Sequence, residues 1–186
     1  MKLNVMLDLE TTATDYNAGV LSIGAVPFGC GEMLQPFYEK CSLLSLENNG
    51  FSISRKTMDW WEKQDSKVRA EAFSGTQPIG DMLEHFGSYL RLLPGEVVIW
   101  GNGADFDNAI LSNAYDVSEM VLPWRYHNNR CFRTLKNTFG PETVAIPPFV
   151  GDKHNALMDA MFQAKHAERI FAYIELAHEA LMRNKV

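Results

Sequence analysis

The sequence of 186 residues carries a formal net charge of −6, with 46% hydrophobic and 22% charged residues, a composition typical of one globular domain over residues 1–186. Its apolar runs are shorter than the roughly 18 residues of a membrane span, and the N-terminus lacks the uncharged apolar stretch of a secretory signal. Three scattered cysteines without a CxxC pair argue against a disulfide framework or a zinc site, so we expect a reducing, cytoplasmic setting.

Three apolar segments at the start of the chain predict three β-strands. They are residues 2–9, Val20–Phe28 and residues 33–40, and each is short enough to be a buried strand. Asn17 and Gly19 are typical of a turn between the first two segments. Short strands that follow one another through turns predict an antiparallel meander.

The pattern then changes to that of helices. Ser54 can cap a helix that carries Trp61, and Ser66 can cap a short helix that Gly75 ends. A longer helix follows, with Pro78 near its first turn. Apolar residues recur at helical spacing in this third helix: Ile79, Met82, Leu83, Phe86, Leu90 and Leu93.

The second half of the chain combines one further strand with three helices. Residues 96–100 predict the strand, and residues 105–115 and 131–139 predict two of the helices. The third helix is long and extends over residues 155–182. This order of elements indicates an α/β fold, with a mixed β-sheet flanked by α-helices.

The first predicted strand carries two carboxylates, Asp8 and Glu10, in an otherwise apolar segment. Residues two apart in a strand point to the same face, so these carboxylates lie side by side. Buried neighbouring carboxylates repel each other and lose hydration, and a divalent ion with a preference for oxygen ligands compensates for both. The alternative is an edge strand on which both groups face water.

A second acidic segment, W-G-N-G-A-D-F-D-N-A-I-L, follows the strand of residues 96–100 and contains Asp105 and Asp107. Asp is favoured at the start of a helix, and Asp105 suits this capping role better. Taken alone, the segment leaves open whether either Asp does more than cap a helix or lie in a solvated turn.

The third candidate group is His154 with Asp159, at the start of the long C-terminal helix. Five residues along a helix correspond to about 140° of rotation, so the two would not share a regular helical face. They converge if His154 lies on the loop that enters the helix. The alternative is a surface histidine beside an Asp that begins a helix.

Together these segments resemble the DEDDh exonucleases, the family of polymerase proofreading subunits and oligoribonuclease. The matching motifs are D-L-E-T-T at 8–12, N-G-A-D-F-D-N-A-I-L at 102–111 and H-N-A-L-M-D at 154–159, in the family's order and spacing. L-S-I-G-A-V at 21–26 is similar to the family's second strand. The family's acidic residue directly follows Phe in the second motif, so the resemblance selects Asp107. Ala13 is a departure, since family members often have Gly there.

The resemblance implies an RNase H-like fold whose first three strands are antiparallel, and a two-metal hydrolysis with Mg²⁺ or Mn²⁺. It places one ion on Asp8, Glu10 and Asp159 and a second mainly on Asp8, with Asp107 acting through water. It also makes His154 the general base. The related DEDDy group has a tyrosine four residues before the last Asp, but that position is Asn155 here, whereas His154 matches the histidine of the DEDDh group.

Four further residues are candidates for contact with the substrate. Thr11 and Thr12 resemble family positions near the terminal nucleotide, and Trp60 and Trp61 could stack on bases. Neighbouring residues on a helix are about 100° apart, so only one of the two is expected to be buried. Core packing is the favoured alternative for Trp61, and the role of Trp60 stays open. The basic residues in 125–136 could contact phosphates or belong to a solvated helix face.

We therefore expect a 3′–5′ exonuclease that acts on single-stranded DNA or RNA and releases nucleoside 5′-monophosphates. The acidic net charge is compatible with this function because bound metal ions supply the positive charge that phosphate needs. Similarity to small phage exodeoxyribonucleases favours DNA slightly. Members of the family are often dimers, but the sequence shows no distinct interface patch, so a homodimer stays an open alternative. The alternatives are a catalytically inactive nucleic-acid-binding or assembly protein with the same fold, and a small domain with accidental carboxylates.

Overall fold

The computed structural model describes residues 2–29 and 34–183, and its centre is a five-stranded sheet. The strands are β1 (Lys2–Thr11), β2 (Val20–Phe28), β3 (Phe37–Lys40), β4 (Glu96–Gly101) and β5 (Asn129–Cys131). Their order is β3-β2-β1-β4-β5. β1, β2 and β3 pair antiparallel, whereas β1–β4 and β4–β5 are parallel. The predicted mixed sheet with an antiparallel meander is therefore confirmed, and the topology is RNase H-like.

Seven α-helices lie among the described residues. They are α1 (Leu43–Asn48), α2 (Arg55–Trp61), α3 (Ser66–Ala72), α4 (Ile79–Leu92), α5 (Asp107–Val117), α6 (Phe132–Thr138) and α7 (Ala156–Arg183). None of the helices in 2–29 and 34–183 combines the length and apolarity needed to cross a membrane.

Two hydrophobic clusters cover the two faces of the sheet. The larger contains Val5 and Leu7 of β1 and buried side chains of α1, α2, α4 and α5. The smaller contains Met6 of β1 with Phe132 of α6 and the small residues of α7, such as Ala160. Because β1 residues alternate between faces, the even-numbered positions of β1 face α7.

Some boundaries differ from the sequence-based predictions. Asp65, not Ser66, caps α3, since its side chain accepts a hydrogen bond from the backbone N–H of Lys67. α5 begins at Asp107 with Phe106 at the cap position, so Asp105 does not cap it. The start of the third predicted strand at Met33 lies outside the described residues, as does Cys30.

Candidate active site

Three of the predicted carboxylates converge at the end of β1. Asp8 and Glu10 of β1 and Asp159 of α7 each offer a carboxylate oxygen, and these oxygens all lie within 4.8 Å of one another. The two-residue spacing on the strand puts Asp8 and Glu10 on the face that α7 covers. Asp159 meets them there because it lies in the first turn of that helix.

A glycine on β2 allows α7 to approach this closely. Gly24 pairs with Asp8 in the β1–β2 register. A Cβ at Gly24 would lie 2.2 Å from the carbonyl carbon of Ala156, the first residue of α7. The helix therefore rests directly on the sheet backbone beside Asp8, which brings Asp159 over the strand.

The fourth carboxylate, Asp107, enters from α5. It is 2% exposed, and its Oδ2 accepts a 2.7 Å hydrogen bond from the backbone N–H of Asn102. Gly101 makes room for this packing, because a Cβ there would lie 3.0 Å from the Asp107 Cβ and closer still to Asn108. Asp105 is exposed. The sequence pattern alone did not decide between Asp105 and Asp107. The structure buries Asp107 beside the other carboxylates and leaves Asp105 exposed.

His154 lies on the loop before α7. This is the position that the sequence analysis required for His154 and Asp159 to come together. Its backbone adopts φ 63°, a left-handed conformation, and its N–H donates a 2.8 Å hydrogen bond to Asp159 Oδ2. The imidazole lies edge-on to Trp60, with 4.9 Å between ring centroids. The loop therefore fixes the histidine between the metal-site carboxylates and α2.

Burial raises the pKa of all four carboxylates, and repulsion between carboxylates adds to the shift at Asp8 and Glu10. Burial raises the pKa of Glu10 to about 8, and repulsion from Asp159 and Asp107 acts in the same direction. Burial and then repulsion from Asp107, Glu10 and Asp159 hold the pKa of Asp8 well above its usual range. Burial raises the pKa of Asp107 to about 6 and also raises that of Asp159, although backbone hydrogen bonds oppose both shifts.

This cluster fits divalent cations of the Mg²⁺ and Mn²⁺ type. All of its ligand atoms are carboxylate oxygens, which hard ions prefer. Four carboxylates in a buried site cannot all ionise at neutral pH without compensating positive charge. Bound cations would supply that charge and reverse the pKa shifts.

Gln163 belongs to the site although the sequence did not single it out. It is 4% exposed, and its Nε2 donates a 2.7 Å hydrogen bond to Asp8 Oδ1. It lies four residues after Asp159 on α7, the spacing that puts two side chains on one helical face. This spacing is the signal that could have identified it, once Asp159 was assigned to the site.

The four candidate substrate contacts separate into two groups. Thr11, Trp60 and Trp61 line a cavity of about 320 Å³ beside Glu10, which we call the Trp60 cavity. Trp60 is 40% exposed, whereas Trp61 is buried and its Nε1 donates to the Thr11 carbonyl at 3.0 Å. Trp61 therefore packs in the core and forms the cavity floor.

Thr12 does not line this cavity; its side chain forms hydrogen bonds within the protein instead. It is fully buried, and its hydroxyl donates to the Ser52 carbonyl at 2.7 Å and accepts from the Gly19 N–H at 3.0 Å. The side chain has no exposed surface in this structure, and its hydrogen bonds hold the segment after β1; contact with a nucleotide stays a prediction.

The sequence matches the family described as "3'-5' exoribonuclease Rv2179c-like domain" over residues 3–171. A comparison with curated proteins finds no match. Among solved structures, the nuclease domain of 3'hExo, a DEDDh family member bound to rAMP, is 12% identical with a TM-score of 0.63, covering 91% of this chain and 92% of that one. Cell-death related nuclease 4 (CRN-4) is 12% identical with a TM-score of 0.54, covering 91% and 64%.

E. coli exonuclease I in complex with a dT13 oligonucleotide is also similar, with 14% identity and a TM-score of 0.67. The match covers 98% of this chain but only 44% of exonuclease I. At such identities the likeness to solved structures establishes the fold alone.

Proposed function

Because the chain belongs to the family of Rv2179c-like 3′–5′ exoribonuclease domains, a DEDDh-type exonuclease family, we propose that it hydrolyses single-stranded nucleic acid from the 3′ end and releases nucleoside 5′-monophosphates. The observation that carries this proposal is the convergence of Asp8, Glu10 and Asp159 within 4.8 Å in a buried site. A role in binding alone would not require carboxylates whose burial opposes their ionisation.

The carboxylates have separate roles in this proposal. Asp8, Glu10 and Asp159 would hold one divalent ion, and Asp8 would hold a second, with Asp107 acting through water. When bound, two such ions stabilise the attacking and leaving oxygens of an in-line displacement at phosphorus. The backbone N–H of Asn102 donates to Asp107 Oδ2 and so holds this carboxylate in place at the site.

His154 is the proposed general base. An imidazole nitrogen accepts the proton of the attacking water as its oxygen forms a bond to phosphorus. The bond between phosphorus and the 3′ oxygen of the upstream nucleoside breaks, and that oxygen takes up a proton from solvent. The hydrogen bond from the His154 N–H to Asp159 positions the loop for this step.

The Trp60 cavity is the proposed site of the terminal nucleoside. It borders Glu10, and its walls include the exposed face of Trp60 and the side chain of Phe106, both suited to contact with a base. The lining also includes the buried Trp61, and the cavity of about 320 Å³ beside the carboxylate cluster suits the nucleoside of a free end.

RNA is the substrate that we place first, because the matching family is described as exoribonuclease. The slight preference for DNA rested on similarity to phage exodeoxyribonucleases alone. Single-stranded DNA remains the second candidate, since structural neighbours were solved with both rAMP and dT13.

One assay tests the proposal. RNA and DNA of one sequence, labelled at the 5′ end, are incubated with Mg²⁺, Mn²⁺ or EDTA, with either a 3′ hydroxyl or a 3′ phosphate. We expect the strands with a 3′ hydroxyl to be shortened from that end only when Mg²⁺ or Mn²⁺ is present, with release of 5′-monophosphates. The Asp8→Asn variant should not shorten them. Rapid cleavage of a closed circular strand, or full activity in EDTA, would contradict the proposal.

A further inference from the structure

A chain of hydrogen bonds leads from β3 to the loop that carries His154. The hydroxyl of Tyr38 on β3 donates to Glu71 Oε1 of α3 at 3.1 Å and accepts from Asn155 Nδ2, also at 3.1 Å. Asn155 Oδ1 in turn accepts a hydrogen bond from the backbone N–H of Met158 at 3.2 Å. Asn155 directly follows His154 and directly precedes α7, so the chain of bonds ends where the loop meets the helix.

The donors and acceptors of this chain fit together in one direction. Lys40 donates to the Glu71 carboxylate at 2.8 Å, and this bond lowers the pKa of Glu71, with the Tyr38 bond acting the same way against the effect of burial. The carboxylate is therefore ionised at neutral pH and can only accept, so the single hydroxyl proton of Tyr38 points to it. The Tyr38 oxygen is left as an acceptor, which selects the Nδ2 side of the Asn155 amide. The amide oxygen then faces α7, where it caps the N–H of Met158.

Tyr38 also lies where α7 meets the sheet. It pairs with Gly24 in the β2–β3 register, and Gly24 pairs with Asp8 on its other side. Residues that lie opposite each other on neighbouring strands share one face of the sheet, so Tyr38 and Asp8 flank the glycine on which α7 rests. The bond between Tyr38 and Asn155 thus fastens the start of α7 to the sheet beside the carboxylate cluster.

We propose that Tyr38 is a positioning residue for His154. The hydrogen bond between the Tyr38 hydroxyl and the Asn155 amide, here called the Tyr38 link, holds His154 in the conformation required of the general base. This inference rests on the proposed function and gives a role in the reaction to a residue outside the carboxylate cluster.

The backbone of His154 is the reason that such a link is needed. Its φ of 63° is a left-handed conformation, which costs free energy at a residue other than glycine and persists only where the surroundings impose it. The His154 N–H donates to Asp159, and the Asp159 N–H donates to the Asn155 carbonyl at 2.9 Å. Both of these bonds stay within the same short stretch of chain, whereas the Tyr38 link ties that stretch to the sheet. Without the link, we expect the turn to relax and the imidazole to move with it.

A double-mutant cycle with His154→Ala tests the Tyr38 link. Tyr38→Phe removes only the hydroxyl, and Asn155→Ser keeps a side-chain oxygen that can cap α7 but removes the amide donor. Each should lower kcat by about 10–100-fold on the single strand, RNA or DNA, that the wild type degrades, since a misplacement of about 1 Å can cost up to about 10²-fold. KM, and Mn²⁺ affinity measured by calorimetry, should stay close to the wild-type values.

The second background makes the test specific to His154. In His154→Ala protein, Tyr38→Phe and Asn155→Ser should have no further effect on kcat, because the group that they position is gone. Tyr89→Phe is the matched control, since it removes a hydroxyl that donates to the Gln35 carbonyl at 2.9 Å from α4, which packs on the other face of the sheet. It should keep the wild-type kcat.

The remaining outcomes contradict the proposal in distinguishable ways. Equal falls of kcat in both backgrounds, or a loss of Mn²⁺ affinity that matches the fall, overturn it, because Tyr38 then supports the fold or the ligand Asp159. An unchanged kcat in both variants overturns it as well. If the wild type cleaves neither RNA nor DNA with Mg²⁺ or Mn²⁺, the proposed function itself fails, a result seen before any variant is made. The two variants break one bond from opposite ends, so misfolding of one leaves the other to decide.

Discussion

Glu10 should make the metal-free protein less stable as the pH rises towards neutrality. Its pKa in the folded protein is about 8, against an ordinary value of 4.5. Between these values the folded chain keeps a proton that the unfolded chain has lost, so folding stability falls with increasing pH. The contribution is fully present below pH 4.5 and is lost as the pH rises through about 8.

The size of this effect follows from proton linkage. One proton retained by the folded state changes the free energy of unfolding by about 1.4 kcal/mol per pH unit. From pH 5.5 to 7.5, Glu10 alone should therefore lower the stability by roughly 3 kcal/mol. In a chain of this length each kcal/mol shifts Tm by about 2–4 °C, so the expected fall is roughly 6–12 °C.

Thermal unfolding in EDTA across this pH range measures the effect. Glu10→Gln removes the titrating group, so its Tm should depend less steeply on pH and should exceed the wild-type Tm at pH 7.5. Asp105→Asn, at an exposed carboxylate, is the control and should follow the wild-type curve. Mn²⁺ should raise the wild-type Tm most at pH 7.5, because it binds the ionised cluster. Equal pH slopes for wild type and Glu10→Gln would refute the reasoning.

Three further substitutions test the site in other ways. Asp107→Asn should lower kcat/KM by at least 10–100-fold, as expected for a group that orients a metal-bound water, whereas Asp105→Asn should stay close to wild type in the same assay. His154→Ala should lower kcat by about 10²–10⁴-fold in single-turnover kinetics but leave Mn²⁺ affinity by calorimetry nearly unchanged; loss of that affinity would make it a ligand. Gly24→Ala should cost about 1–3 kcal/mol in urea unfolding and weaken Mn²⁺ binding, because its Cβ would collide with the start of α7. Gly80→Ala, where a Cβ meets open space, is the matched control and should not destabilise.

The elements that could be predicted from the sequence are those with strong periodicity. β1 and β2 follow apolar runs, and α7 follows a long helical repeat, so their positions agree closely with the structure. β5 has only three residues, all polar or half-buried, which is too short to show a period. α1 was missed for a similar reason, since it spans only six residues.

In the site, too, features set by local geometry could be predicted from the sequence, whereas features set by tertiary packing could not. The side-by-side placement of Asp8 and Glu10 follows from the local geometry of one strand, and the sequence alone predicts it. The contact of Gln163 with Asp8 depends on how α7 lies across β1, which is a tertiary fact. The difference between Asp105 and Asp107 likewise depends on where α5 begins, and helix boundaries are among the least predictable features of a sequence.

The seating of α7 on Gly24 has a consequence for biosynthesis. Asp8 and Glu10 of β1 leave the ribosome long before their partner Asp159, which belongs to α7. A nascent chain that ends before α7 carries an incomplete ligand set, whatever metal is present. Under the proposed function, a nuclease made beside RNA would therefore stay inert until α7 has left the ribosome. That activity would begin when α7 docks against a strand made more than a hundred residues earlier.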